Sequence, residues 1–197
     1  MRTRNILIVG VGGQGTLLTS RVLGNLAVNQ GHDVKLSEVH GMSQRGGSVV
    51  THVRYGQKVY SPLVEVGEAD IILAFEKMEA LRWKHFLRPD GILLVNMQQI
   101  NPMPVTIGQA IYPENILDVL CEEVKNFYPV DALNEARELG NSRTMNMVLV
   151  GVLAAKMDID PEKWLEVIAC TVPQKTIDIN QKAFERGYGL IRNEVTP

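Results

Sequence analysis

The sequence predicts an α/β protein with an open, mostly parallel, Rossmann-like sheet that carries helices on both faces and ends in a helical C-terminal third. Short apolar runs of strand length alternate with stretches whose apolar residues have helical spacing. A glycine-rich turn, Gly10–Gly15, follows the first of these runs, and the candidate elements from Asn115 onward are helices. With 197 residues, 45% of them hydrophobic, we expect residues 1–197 to form one domain.

The predicted strands lie in the first half of the chain. "NILIV" at 5–9 is a β-rich run, the spacing after the turn predicts a helix over 16–29, and "VKLS" at 34–37 predicts a second strand. These elements are typical of the opening of a βαβ unit. Alternation after Ser48 predicts a half-exposed strand, with "YGQK" as a hairpin turn. Two buried strands, "EADIILAF" and "GILLVN", flank a helix in "EKMEALRWKHFL".

The second half of the chain is predicted to be helical. The proline-rich segment "NPMPVTIGQAIYP" at 101–113 favours a connection or an edge strand. The helix candidates after it are 115–123, 131–139, 144–156, 161–169 and 176–186. The third of these is the most apolar, so we expect it to pack against the sheet.

Composition excludes several function classes. A net charge of -2 gives no basic field for nucleic acid. No apolar run approaches the roughly 18 residues that a membrane span needs, and glycines interrupt the amino-terminal run, so we expect a cytoplasmic protein. The two cysteines, Cys121 and Cys170, form no CxxC motif and cannot by themselves hold a cluster or a structural zinc ion. Free thiols are expected, although spacing alone leaves a disulfide open.

The glycine turn "GVGGQG" lies between the first predicted strand and helix, where GxGxxG motifs bind a pyrophosphate at a helix N-terminus. Its candidate cofactor-binding residues are Gly10, Gly12, Gly13, Gln14 and Gly15. The Gln14 amide can donate to an anion or can equally cap its neighbours. In the dinucleotide form, an acidic residue ends the second strand about twenty residues on. Glu38 is late for this role and Lys35 stands nearer, which disfavours NAD or FAD and leaves another anion site or a purely structural turn.

A second polar segment, "SEVHGMSQRGGSVV", follows the second strand, at the carboxyl edge where open α/β sheets keep their crevices. Its candidate residues for contact with a partner or coenzyme A are Glu38, His40, Ser43, Gln44, Arg45, Gly46 and Gly47. His40 beside Glu38 could be a general base, but no nucleophile or metal partner is in view, so a hydrogen-bonded loop histidine is the alternative. The Arg45 guanidinium suits a carboxylate or phosphate, and the two glycines after it favour such a contact over a bare turn.

These segments resemble a known family. "VGVGGQG", "SEVHGMSQRGGSVVTHVR", "VYSPLVEVGEADIILAFEKMEALR" and "NMVLVGVLA" are together similar to the gamma module of the 2-oxoacid:ferredoxin oxidoreductases, over nearly the whole chain. The similarity is greatest to the beta subunit of the indolepyruvate enzymes. The pyruvate and 2-oxoglutarate members share the GGQG turn and the RGG sequence but are less alike around Glu38 and His40, which favours an aryl 2-oxoacid.

The resemblance implies a subunit of an enzyme that oxidatively decarboxylates an aryl pyruvate to the acyl-CoA and passes electrons to ferredoxin. Thiamine diphosphate, Mg and the iron–sulfur clusters are expected in a large alpha subunit, with coenzyme A as co-substrate of the complex. The sequence agrees, because it has no cysteine set for a cluster and no GDG segment of the kind that binds Mg-thiamine diphosphate. The chain is therefore expected to be inactive alone, and isolation could leave it as a homodimer.

Three alternatives stay open at this point. The chain could be the gamma subunit of a pyruvate or 2-oxoglutarate enzyme, because selection of the 2-oxoacid depends on a pocket in the partner. It could be a purely architectural assembly subunit, whose glycine turn binds no ligand. It could also be a free-standing nucleotide-dependent oxidoreductase, which the late acidic residue disfavours.

Overall fold

In a computed structural model of the protein, which describes residues 2–41 and 47–192, six strands form one sheet. The strands are β1 (Arg4–Val11), β2 (Asp33–His40), β3 (Ser48–Gly56), β4 (Ala69–Ala74), β5 (Leu87–Asn96) and β6 (Asn126–Val130). They lie in the order β2-β3-β1-β4-β5-β6. The pairs β1/β4, β4/β5 and β5/β6 are parallel, whereas β3 is antiparallel to both of its neighbours. The predicted open, mostly parallel sheet is confirmed.

The helices also follow the prediction, including the helical C-terminal third. They are α1 (Thr16–Asn29), α2 (Lys77–Trp83), α3 (Met103–Thr106), α4 (Ile116–Glu123), α5 (Ala132–Glu138), α6 (Met145–Ala154), α7 (Pro161–Thr171) and α8 (Ile177–Arg192). Acidic N-caps explain two of the starts: the Asp131 side chain accepts from the Asn134 amide before α5, and the Asp160 side chain accepts from the Glu162 amide before α7. None of the described helices combines the length and apolarity needed to cross a bilayer.

Helices cover both faces of the sheet because side chains alternate along each strand. On one face Ile6 and Ile8 of β1 pack in a core with α1, α5, α6, α7 and α8. On the other face Leu7 and Val9 pack in a core with α2 and α4. Helix α6 is buried along its whole length, which confirms that the most apolar predicted helix packs against the sheet. Cys121 on α4 and Cys170 on α7 are free, exposed and on opposite faces, so the expectation of free thiols is confirmed.

The predicted βαβ opening is only partly right. β1, α1 and β2 form as expected, but β2 does not pair with β1. Instead β3 lies between them and pairs antiparallel with both. The prediction of a half-exposed strand is also wrong, because β3 lies inside the sheet and none of its residues is exposed, its polar side chains included.

Three further differences concern short segments. The "YGQK" sequence does not make a hairpin, because β3 ends at Gly56 and residues 57–68 form an irregular loop. The 101–113 segment contains the short helix α3 and no edge strand. Strand β6 was not predicted, since "NFYPV" is short and contains Pro129. Proline is tolerated there because β6 lies at the edge of the sheet.

The 57–68 loop is held against β3 by a buried histidine. The Val64 amide donates to His52 Nδ1 at 3.1 Å, and the Val59 amide donates to Asp33 Oδ2 at 2.9 Å. His52 is only 6% exposed. Its burial, with a smaller contribution from the charge of Arg54, lowers its pKa below the usual 6.5. The imidazole is therefore neutral at pH 7, with Nδ1 as an acceptor.

This histidine predicts a pH dependence of stability. Because its pKa is lower in the folded than in the unfolded chain, the unfolded chain takes up the proton first as the pH falls. We expect the free energy of unfolding to decrease from about pH 6.5 down towards the lowered pKa, with no contribution from His52 above that range. Urea unfolding at pH 7.5 and 5.5 measures this decrease. His52→Asn, which keeps an acceptor but cannot titrate, should reduce it, and an equal decrease in both proteins would contradict the assignment.

Candidate functional site

The glycine turn and the second polar segment meet at the carboxyl edge of the sheet. Ser48 pairs with Val11 and Val49 pairs with His40, so β1 and β2 end side by side with β3 beginning between them. The Gly12 amide donates to the Gly47 carbonyl at 3.0 Å. The Gly41 amide donates to the Ser48 carbonyl at 2.8 Å, so both ends of the polar connection are fixed beside the glycine turn. Ser43, Gln44, Arg45 and Gly46, predicted from the sequence, lie outside the described residues.

Three of the four glycines of the turn, all but Gly12, are demanded by its geometry. Gly13 and Gly15 have φ values of 96° and 90°, in the left-handed region that side chains disfavour. A Cβ at Gly15 would lie 2.9 Å from Asn146 Nδ2, and one at Gly10 would lie 2.9 Å from Phe75 Cβ. Glycine therefore lets the end of β1 approach Phe75 after β4, and lets the start of α1 approach α6. Whether these glycines contact a ligand stays a prediction.

Gln14 holds three strand ends together through its side chain. Its Oε1 accepts from the Val11 amide at 2.7 Å, and its Nε2 donates to the Phe75 carbonyl and to Gln98 Oε1, both at 2.9 Å. Both polar atoms of the amide are thus used inside the protein. Of the roles considered from the sequence, the geometry favours the capping of neighbours, and anion binding by this side chain stays a prediction.

Asn96 supports the same region from the end of β5, and sequence analysis missed it. The residue is fully buried. Its Nδ2 donates to the Phe75 carbonyl at 3.0 Å, and its Oδ1 accepts from the Ala132 amide at 3.2 Å. The sequence did contain a signal for this role, because Asn96 ends a buried apolar strand. A buried polar side chain of this kind needs hydrogen-bond partners inside the protein.

Glu38 and His40 contact each other through their side chains at the end of the edge strand β2. Glu38 Oε1 lies 2.7 Å from His40 Nε2, and its Oε2 accepts from Thr51 Oγ1 at 2.9 Å. The His40 side chain is 63% exposed, whereas that of Glu38 is 16% exposed. The geometry favours the alternative to a general base, a hydrogen-bonded histidine on an open surface, although His40 is the last residue of β2 and does not lie in a loop.

A buried carboxylate on α2 fixes the start of β3, directly after Gly47. Glu79 Oε2 accepts hydrogen bonds from Ser48 Oγ and, at 3.2 Å, from Trp83 Nε1. Arg82 Nε donates to Glu79 Oε1 at 3.2 Å. This cluster was not predicted, because Ser48 and Glu79 are 31 residues apart in the sequence and no local pattern links them. It anchors the exit of the polar connection to α2.

A second buried carboxylate holds the 97–112 segment at the same edge. Glu76, 1% exposed, accepts from the Tyr112 hydroxyl at 2.5 Å, from the Ile100 amide at 3.2 Å and from the Glu79 amide at 3.1 Å. Burial, and then the hydrogen bond to Glu76, raise the pKa of Tyr112 well above its usual value, so this hydroxyl stays a donor. Gln98 in the same segment contacts Gln14, which connects Glu76 to the glycine turn.

A cleft of about 410 Å³ opens beside the turn. Gly13 and Gly15 line it at the start of α1, opposite Gln98, Asn146 and the exposed Arg143. A helix N-terminus together with an arginine is suited to an anionic group. Sequence analysis missed Arg143, which stands more than a hundred residues from the turn. Over the described part of the chain, no three His, Cys, Asp or Glu side chains are placed to hold a metal ion.

Comparisons with known proteins agree with this fold over nearly its full length. A family model described as pyruvate ferredoxin/flavodoxin oxidoreductase matches residues 5–190. The chain is 44% identical over 194 residues to the indolepyruvate oxidoreductase subunit IorB of Thermococcus kodakarensis, and 44% identical over 192 residues to that of Pyrococcus horikoshii, with 95% of both chains covered in each case. A solved gamma subunit of a keto/oxoacid ferredoxin oxidoreductase from Geobacter sulfurreducens has a TM-score of 0.70 at 22% identity, over 94% of this chain and 96% of that chain.

Proposed function

Because the chain belongs to the pyruvate ferredoxin/flavodoxin oxidoreductase family and is a small subunit of a 2-oxoacid:ferredoxin oxidoreductase, we propose that its complex acts on indolepyruvate or a related aryl pyruvate. The reaction is oxidative decarboxylation of the 2-oxoacid to the acyl-CoA, with electrons passed to ferredoxin. The observation that carries the substrate class is the similarity to the two indolepyruvate oxidoreductase subunits over nearly their whole length. Residues 1–197 would act as one gamma-type domain.

The redox cofactors belong, in this proposal, to a large alpha subunit. An iron–sulfur cluster generally needs four cysteine ligands, and this chain has two cysteines, on opposite faces of the sheet. The sequence has no GDG segment of the kind that binds Mg-thiamine diphosphate, which supports placing that group in the alpha subunit as well. We therefore assign no step of decarboxylation or electron transfer to these residues, and ferredoxin would be reached through the complex.

The contribution of this chain would be made at the carboxyl edge of the sheet. The glycine turn, the Glu38–His40 end of β2 and the polar connection through Arg45 to Gly47 would line the partner interface and the path of coenzyme A. The cleft is too small for the whole coenzyme, but the start of α1 and Arg143 suit one of its phosphates. Arg45 would contact a phosphate or a carboxylate of the partner.

Replacing Arg45 with alanine tests that contact. A buried, charge-assisted contact is worth on the order of 1.5 to 3 kcal/mol, so we expect the KM for coenzyme A or the dissociation constant of the complex to rise about 10- to 150-fold. Steady-state kinetics and quantitative pull-down with the alpha subunit measure the two effects. Arg21→Ala, at an exposed position of α1, is the matched control. Wild-type values for Arg45→Ala in both assays would exclude the contact.

The proposed function is tested by co-expressing this chain with a large alpha subunit and purifying the complex through a tag on this chain. Anaerobic, coenzyme A-dependent reduction of a viologen dye is then compared for indolepyruvate, pyruvate and 2-oxoglutarate. Preference for indolepyruvate, lost when this chain is omitted, supports the proposal. Preference for either other substrate favours the alternative gamma subunits, and an alpha subunit fully active alone contradicts the proposal.

A purely architectural role is the second candidate, and one observation favours it: both polar atoms of the Gln14 side chain are used inside the protein. Arg143→Ala separates the two roles. If the cleft binds a phosphate of coenzyme A, the KM for coenzyme A rises with the amount of assembled complex unchanged. In the architectural role, both quantities stay at their wild-type values.

A further inference from the structure

A second cavity lies at the opposite, amino edge of the sheet. It measures about 210 Å³ and is bounded by the first residues of β1 and β4, the last residues of β3, and the 156–159 connection after α6. It lies on the same face as α1 and α6, because Ile6 and Ile71, which line it, belong to that core. The proposed function uses none of these residues.

Tyr55 brings a polar group into this cavity without an internal partner. The residue is 4% exposed and lines the cavity, and its ring packs beside that of His32 with centroids 5.5 Å apart. Its hydroxyl makes no hydrogen bond to any of the described residues and is open to the cavity, where water or a ligand can accept its proton. Burial raises the pKa of Tyr55, the nearby Arg4 charge opposes this shift and the Asp70 carboxylate adds to it, so the hydroxyl is a proton donor at neutral pH.

Arg4 stands directly across from Tyr55. The two residues are register partners in the antiparallel β1/β3 ladder, which places their side chains next to each other on one face. Arg4 is exposed and has no ion pair within the described part of the chain. A hydroxyl donor and a guanidinium donor, both without acceptors, thus converge on one rim of the cavity.

The other charged side chains around the cavity do not accept hydrogen bonds from Tyr55 or Arg4. The Asp70 carboxylate is already satisfied, since Oδ2 accepts from the Asn5 amide at 2.8 Å and Oδ1 lies 3.1 Å from Arg88 Nη1. The Lys156 ammonium lies over the Tyr128 ring at 3.6 Å and adds positive charge, whereas Asp158 is exposed at the rim. Ile6, Ile71 and Met157 make the remaining wall apolar.

We propose that this cavity binds a small monocarboxylate with a short apolar body. The carboxylate accepts from the Tyr55 hydroxyl and the Arg4 guanidinium, and the body packs against Ile6, Ile71 and Met157. The cavity volume lies below the range of about 300–1,000 Å³ typical of drug-sized ligands, which fits a small acid. The site lies away from the carboxyl edge of the sheet. This proposal therefore does not depend on the proposed function.

Titration of the full-length chain with isovalerate tests this, with isovaleramide and acetate as comparison ligands. We expect saturable binding of isovalerate, with shifts of the Ile6, Ile71 and Met157 methyl resonances. The neutral amide should bind at least about tenfold more weakly, because it removes the charge that strengthens both hydrogen bonds. Acetate, which lacks the apolar body, should also bind more weakly.

Tyr55→Phe removes only the hydroxyl, so it should bind isovalerate about tenfold more weakly while unfolding with unchanged or greater stability. Arg4→Gln should weaken binding to a similar extent. Tyr60→Phe, at a position that is 89% exposed, is the control and should bind as the wild type does. The proposal is overturned by absence of saturable binding to the wild-type chain, by equal affinity for acid and amide, or by wild-type affinity in both Tyr55→Phe and Arg4→Gln.

Discussion

Replacing Gly187 with alanine is expected to lower the free energy of unfolding by about 3 kcal/mol. Gly187 lies where α8 crosses α6, and a Cβ there would be 1.9 Å from the Val148 carbonyl oxygen and 2.7 Å from its carbonyl carbon. These are backbone atoms of a helix that is buried along its length, so they cannot rotate away as a side chain can. The two helices must separate, which opens voids along a close-packed core.

The same crossing depends on Gly151 of α6, whose Cβ would lie 2.0 Å from the Phe184 carbonyl oxygen. Gly151→Ala should therefore destabilise the protein to a similar extent. Because either substitution already forces the helices apart, the double variant should lose less than the sum of the two single losses. Urea unfolding monitored by circular dichroism gives all three free energies.

Gly189 supplies the matched control for Gly187. It lies in the same helix, and apart from the adjacent backbone of that helix no atom of the described residues comes within 4 Å of a Cβ placed there. Gly189→Ala should leave the protein as stable as the wild type or up to about 1 kcal/mol more stable, since alanine is the better helix former. Equal losses for Gly187→Ala and Gly189→Ala would mean that helix propensity, and not the close crossing, sets the cost.

The sequence predicts the two helices at this crossing and the burial of α6, but not the close contact between them. The spacing of apolar residues predicted α6 and its burial, because periodicity reports which side of an element is apolar. It did not indicate that α6 and α8 touch backbone to backbone, since a helical glycine has the same local pattern whether its neighbour is another helix or water. The glycines became informative only when the partner helix was known.

In the candidate site, too, some features could be predicted from the sequence and others could not. The glycine turn and its place at the carboxyl edge were predictable, because the motif is local and parallel strands bring their ends together. Asn96, Glu76 and Arg143 were not, because their partners are distant in sequence. The insertion of β3 was missed for a related reason: pairing order depends on which strands approach, and the alternation of residues does not encode it.

The second large effect is expected at Glu76. Glu76→Ala should lower the free energy of unfolding by about 3 kcal/mol or more, because it leaves the buried Tyr112 hydroxyl and the Ile100 and Glu79 amides without their acceptor. Each such group loses its hydrogen bond inside the protein without regaining full contact with water. The variant also frees the 97–112 segment, so weaker assembly with the alpha subunit should accompany the loss of stability if the carboxyl edge is the partner interface.

Two variants separate this effect from the loss of a helix cap. Asp160 caps α7 from an exposed position, so Asp160→Ala should cost only about 1 kcal/mol. Tyr112→Phe removes a single hydrogen bond to Glu76 and should fall between the two. If Glu76→Ala costs no more than Asp160→Ala, the carboxylate acts only as a cap. If it costs more but assembly is unchanged, Glu76 stabilises the fold, and the 97–112 segment lies outside the partner interface.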